Sequence, residues 1–289
     1  MKWQGRKKSK NTIDRRGESG GGRRKGGFTL VGILIAFALS FILGGNPLNY
    51  LGLVTGVENS IELKSRGNEN YKPSAREEQM ANFVSVVQAD TEDVWAKLFK
   101  EHGMVYKDPK LVMFTSNTTS GCGKANSATG PFYCSLDETI YIDLSFFDEL
   151  KSRFGAPGDF AMAYVIAHEV GHHVQHLLGT TDKVHSQARK ISKKEYNKLS
   201  VKLELQADYY AGVWAKNADE MKNILDEGDI EEAINAANAI GDDRLQKQAQ
   251  GYVVPDAFTH GTSKQRMEWF KKGYESGDPL KGNTFEVLD

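Results

Sequence analysis

Apolar and polar positions change rhythm several times along the chain. From Phe28 to Leu43 (FTLVGILIAFALSFIL) sixteen residues carry no charge, and the flanking Gly26, Gly27, Gly44 and Gly45 lengthen this run to twenty residues before the polar Asn46. A membrane-spanning helix needs about 20 mainly apolar residues. No amphipathic period marks the run as a buried core helix, so it predicts a single transmembrane signal anchor over residues 28–45. A cleaved signal peptide has the same order of basic flank and apolar core, but the following GGNPLNYL offers no small-x-small cleavage pattern. Residues 46–74, with scattered Gly, Asn and Lys, read as a linker. Helical spacing then begins: Ser74 with Glu77 makes a capping start for a helix through Phe99. Strands are expected at Leu111–Phe114 and Thr139–Leu144, the latter alternating as TIYIDL. After turn signals at Gly155 to Gly158, Asp159 caps a long helix to Leu178 that Gly179 ends. Further helices are expected at Ser192–Asn217, Ile230–Ala239 and Ser263–Tyr274. The fold class is therefore α+β and mainly helical, one domain over 75–289 with a small sheet, preceded by one transmembrane helix.

Charge changes this picture in one respect. Residues 1–25 hold ten Lys or Arg against two acids, Asp14 and Glu18, whereas the whole chain has a formal net charge of -1. A basic leader over 1–27 is joined to an acidic body. Basic flanks stay in the cytoplasm, which would put the leader inside and the body outside the cell membrane. The acidic body argues against nucleic acid as a partner. Cys122 and Cys134 lie beyond the apolar run in a Gly-, Ser- and Thr-rich loop. Outside the cytoplasm they are expected to form a disulfide; a zinc-thiolate pair is the alternative, without a second cysteine pair to complete it.

Candidate chemistry concentrates in AHEVGHHVQH, Ala167 to His176, which holds four of the chain's seven histidines. Residues four apart share a helix face, about 6 Å apart along the axis. His168 and His172 can thus meet one ion while Glu169 reaches a water beside it, two ligands and a general base in five residues. A surface helix with unrelated polar residues is the plain alternative, but the surroundings are apolar and buried imidazoles need partners. His176 lies about 12 Å along the axis from His168, too far to share an ion whose bonds are about 2 Å. His173 points about 100° away from His172, towards packing or a hydrogen bond. The third ligand must come from another segment, with His185, Glu204, Asp208 and His260 as candidates. LELQADYYAG places Glu204 and Asp208 four apart in a buried-looking context, so that one carboxylate can bind the ion while the other accepts the N–H of a ligand imidazole.

Four blocks in order, FYCSLDETIYIDLSFF, GDFAMAYVIAHEVGHHVQHLLG, ELQADYYAGVWA and FTHGTSKQR, resemble the putative neutral zinc metallopeptidase family of bacterial, single-pass membrane proteins. HEVGH with Glu204 and Asp208 is similar to zincins whose third ligand is a Glu. The resemblance implies a zincin-like metallopeptidase domain in the bacterial cell membrane. It implies Zn2+ bound by His168, His172 and Glu204, Glu169 as base, and Asp208 behind a histidine. The expected reaction is hydrolysis of peptide or protein substrates by a metal-activated water. His260 is the candidate donor to the oxyanion, with Tyr209 as an alternative; capping or packing of the last helix is the plain reading of His260. The strand Thr139–Leu144 is a candidate edge for an extended peptide. A noncatalytic zinc-containing scaffold and a zinc hydrolase of a nonpeptide amide remain the competing functions.

Overall fold

The computed structural model describes residues 1–19, 66–67 and 71–287. Its N-terminal strands are β1 (Thr12–Arg15), β2 (Glu18–Ser19) and β3 (Arg66–Gly67), followed by helix α1 (Ala75–Glu101). Next come β4 (Lys110–Phe114), β5 (Asn117–Ser120), β6 (Gly123–Asn126), β7 (Phe132–Cys134), β8 (Thr139–Asp143) and the short α2 (Phe146–Ser152). The remainder is helical: α3 (Asp159–Leu177), α4 (Thr180–His185), α5 (Lys193–Lys222), α6 (Asp229–Ala239), α7 (Asp242–Gln250), α8 (Ser263–Ser276) and α9 (Thr284–Val287).

Local chemistry sets where the long helices begin. Ser74 with Glu77, Ser192 with Glu195, and Thr262 with Gln265 each form a reciprocal capping box ahead of α1, α5 and α8, satisfying backbone N–H groups that a helix start leaves without partners. At α3 the cap is Gly158, and Asp159 is the first helical residue. An acid there still opposes the positive helix end.

Helix α3 is apolar on most of its circumference because it is packed on most of its circumference. It lies against α5, α6 and α1, and touches β7. Residues Ala163 to Ala167 are buried throughout. The main sheet has the order β1-β4-β8-β7, with β1, β4 and β8 parallel and β7 antiparallel to β8. Alternate residues point to opposite faces: Leu111, Met113, Ile140 and Ile142 join the helical core, while Val112, Phe114, Tyr141 and Cys134 form a smaller cluster on the other face. Strands β5 and β6 pair as a hairpin, and a disulfide joins Cys122 at its tip to Cys134 on β7.

Two expectations need correction. Strand β8 is paired on both sides, by β4 and β7, so Thr139–Asp143 has no open edge; the edge strands of this sheet are β1 and, beside β8, β7. The second correction concerns the membrane. No helix among the described residues is long and apolar enough to cross one, and the expected anchor over 28–45, like 46–65 and 68–70 of the expected linker, lies outside those residues. Residues 1–19 of the basic leader, expected on the opposite side of a bilayer from the body, are built into the body. Its β1 pairs with β4 in register from Thr12 and Leu111 to Arg15 and Phe114. Trp3 stacks edge-on against Phe83, and Arg6 bonds Asp90 at 2.6 Å. A bilayer cannot separate two hydrogen-bonded strands, so the proposed sidedness, the membrane as a partner and the membrane localisation fall together.

Candidate metal centre

The site is made where α3 crosses α5. At Gly171 the helices meet backbone to backbone, for a Cβ there would stand 2.9 Å from the Ala207 carbonyl oxygen. That close approach brings Glu204 and Asp208, one turn apart on α5, against His168 and His172, one turn apart on α3.

Each imidazole is fixed through its Nδ1. His168 Nδ1 lies 2.8 Å from Asp208 Oδ1, and His172 Nδ1 lies 2.9 Å from Gln175 Oε1. With Nδ1–H donated to an oxygen, Nε2 carries the lone pair. Both Nε2 atoms face one carboxylate: His168 Nε2 is 3.2 Å from Glu204 Oε2, and His172 Nε2 is 3.5 Å from Glu204 Oε1. Burial favours the neutral acid of Glu204, but the imidazoles of His172, His260 and His168 hold its carboxyl well below the usual range. With both rings neutral, an ionised carboxylate opposite two Nε2 lone pairs is a donor set suited to a divalent cation. Zinc bonds of about 2.0–2.2 Å in tetrahedral geometry require ligand atoms about 3.3 Å apart, and the two imidazole–carboxylate separations of 3.2 and 3.5 Å lie on either side of that value. Zinc therefore fits His168, His172 and Glu204, whose ligand atoms all lie within 4.8 Å of one another.

Behind His168 stands a buried ionic network. Arg266 grips Asp208 through two bonds, Nε to Oδ2 at 2.8 Å and Nη2 to Oδ1 at 2.9 Å. Tyr164 donates its hydroxyl to Asp208 Oδ1 at 2.6 Å. Asp208 is fully buried and Arg266 is 2% exposed. Burial pulls the His168 imidazole down, but Asp208 by charge and hydrogen bond, helped by Glu204, lifts it to about 9. For Asp208, burial is outweighed by Arg266 and His168, which hold the carboxyl below its ordinary value.

A cleft of about 1000 Å³ opens over these residues, lined by Glu169, His260, Arg266 and the β7 residues Phe132 and Tyr133 as well as the ligand set. Glu169 is 8% exposed. His260 reaches the cleft from the loop before α8. Asp242 holds that loop: its Oδ2 accepts the backbone N–H of Thr259, His260 and Gly261, while Oδ1 sits 3.1 Å from His260 Nδ1. Burial lowers the His260 ring, but Glu204 and Asp242 raise it above its ordinary value. Its side chain is half-exposed. His185 also lines the cleft but lies outside the cluster of ligand atoms. Tyr209 does not line the cleft; its hydroxyl donates to the Asp278 carbonyl at 2.8 Å.

The other two histidines of the helix face elsewhere. His173 is fully buried. Its Nε2 donates to the Lys107 carbonyl at 2.6 Å, which leaves Nδ1 to accept from the Tyr133 hydroxyl at 2.9 Å. It thereby pins the edge strand β7 to α3. His176 lies beside Tyr133, with ring centroids 6.3 Å apart. Burial, outweighing the Lys107 carbonyl, drops His173 to about 4. Between pH 6.5 and 4 an unfolded chain takes up a proton that folded His173 refuses. Stability is therefore intact above that window and falls as pH drops through it, by up to about 3 kcal/mol. The check is an NMR titration of the ring, expected to stay neutral down to about pH 4, alongside urea unfolding across the same range.

Sequence reasoning missed Tyr164, Gln175, Asp242 and Arg266. Tyr164 and Gln175 had a signal, since they stand four residues before His168 and three after His172 on the same helix. Arg266 closes the quoted block FTHGTSKQR.

The family model for a putative neutral zinc metallopeptidase matches residues 1–285. The chain is 50% identical over 289 residues to the protein YpfJ of Escherichia coli K12, covering 99% of each. It is 43% identical over 194 residues to the protein Mb2605 of Mycobacterium bovis, covering 64% of each chain. No solved structure matches.

Proposed function

Because the chain belongs to the putative neutral zinc metallopeptidase family, we propose that it hydrolyses peptide bonds, with zinc held by His168, His172 and Glu204 and with Glu169 as general base. The observation that carries this reading is the pair of imidazoles, each fixed at Nδ1 by an oxygen, that turn both Nε2 atoms toward one partly buried carboxylate. A site with these three protein ligands would match the pattern of catalytic rather than structural zinc. When bound, zinc acts as a Lewis acid that acidifies a water and polarises a carbonyl.

The chain's own residues do the rest. Glu169 stands in the cleft next to the ligand His168; its carboxylate takes a proton from the attacking water and passes it to the leaving amine nitrogen. Asp208 keeps the His168 proton on Nδ1, and Arg266 keeps Asp208 ionised. Asp242 accepts from His260 Nδ1, and the acids that raise the ring's pKa favour the imidazolium, whose Nε2–H then donates to an oxyanion in the cleft. The edge strand β7 offers backbone groups along the cleft wall to an extended peptide.

The test is incubation of the full chain with a mixture of unrelated peptides and mass-spectrometric reading of the products. Cleavage that stops on chelation and returns with zinc is expected. Intact peptides, with cleavage of nonpeptide amides instead, would move the reading to the other substrate class.

A further inference from the structure

A buried chain of amides runs from the other zinc-facing histidine to the segment after α8. Gln175 is fully buried and donates its Nε2 to the Leu203 carbonyl at 2.7 Å and to Gln206 Oε1 at 3.1 Å. Gln206, 5% exposed, donates its own Nε2 to the Gly282 carbonyl at 2.9 Å. A backbone carbonyl only accepts, so neither amide can turn over without losing its bond. Gly282 dictates that Gln206 presents its oxygen to Gln175. Leu203 and that oxygen together dictate that Gln175 presents its own oxygen to His172. A ring nitrogen facing an amide oxygen must carry the proton. The order Gly282, Gln206, Gln175, His172 therefore has a single direction of donation.

We propose that Gln175 and Gln206 are positioning residues that hold the proton of His172 on Nδ1, and that the segment carrying Gly282, between α8 and α9, sets the direction of this relay. Partners of this kind fix ring orientation and tautomer, and losing one typically weakens metal binding about 10- to 100-fold. The inference rests on the reading of His172 as a ligand, but its first readout does not. Gln206 also lines a separate cavity of about 490 Å³ together with Pro279, Leu280 and Phe285, so the relay links the metal centre to a second cavity.

The experiment uses the full-length chain in four forms: wild type, Gln175→Leu, Gln175→Glu and Gln206→Leu. Nitrogen-15 NMR of the metal-free proteins reads the His172 tautomer, and chelator competition with zinc reads affinity. The wild type should carry its proton on Nδ1. In Gln175→Leu the proton should shift toward Nε2 and zinc should bind about 10- to 100-fold more weakly. Gln175→Glu, which keeps an accepting oxygen opposite Nδ1, should preserve the tautomer and bind zinc at least ten times more tightly than Gln175→Leu. A role in packing alone would treat these two variants alike. Gln206→Leu should show a smaller loss in the same direction, because the Leu203 carbonyl still orients Gln175. An unchanged tautomer in Gln175→Leu, or equal zinc affinity in the two Gln175 variants, overturns the proposal. A wild type with the expected tautomer that binds no zinc would instead refute the ligand reading and leave the relay standing.

Discussion

The Glu169→Gln variant is expected to keep its zinc and to lose peptide hydrolysis by about 100- to 10,000-fold, the range that general acid–base catalysis contributes. Glutamine has nearly the same volume and reach, so the packing of α3 should not change. What disappears is the capacity to hold a proton in transit. The carboxylate stands between His168 and His172 in sequence, but the cluster of atoms that could hold a metal ion is made by His168, His172 and Glu204. Zinc stoichiometry and unfolding midpoint should therefore match the wild type, while kcat/KM collapses with little change in KM. Activity within threefold of the wild type would remove Glu169 from the role of base.

The largest effect on stability is expected at Arg266. Changing it to Met strands Asp208, a fully buried carboxylate, with the Tyr164 hydroxyl and His168 Nδ1 as its remaining side-chain partners. Breaking a buried pair from one side costs about 3–5 kcal/mol. Chemical denaturation of the two proteins reads this directly. Arg266→Lys should recover only part of the loss, because a single ammonium cannot reproduce the two-pronged contact through Nε and Nη2. The double variant Arg266→Met with Asp208→Leu should be more stable than Arg266→Met alone, since no charge is then left unpaired. An Arg266→Met protein as stable as the wild type would mean that the network contributes nothing to folding.

The elements legible in the sequence are those whose signals are local. Helical spacing and the Ser74 and Ser192 caps locate α1 and α5. The spacing of HEVGH, and of Glu204 with Asp208, locates residues whose atoms the fold brings together. Strand β1 was hidden because TIDR offers only Ile13 as an apolar residue, and its partner β4 lies about a hundred residues on. The surrounding Lys and Arg then suggested a cytoplasmic leader. Yet Arg6 and Lys7 answer Asp90 and Asp93 of α1, so this charge serves attachment to the body. Helix α7 was not expected, since Leu245 and Ala249 are the only apolar residues in DDRLQKQAQ; only the fold reveals that its first residue, Asp242, holds the His260 loop. Arg266 was equally out of reach, because its partners Asp208 and Tyr164 are 58 and 102 positions away.

The central claim is that Glu204 completes a zinc site begun by the two histidines. It is tested most directly by equilibrium titration of metal-free wild type and Glu204→Ala with zinc, both in the presence of a competing chelator. One equivalent of zinc bound by the wild type, with affinity weaker by more than about 100-fold in Glu204→Ala, is the predicted result, a larger loss than removal of an outer partner produces. Equal affinity in the two proteins, or no zinc bound by the wild type, would contradict it.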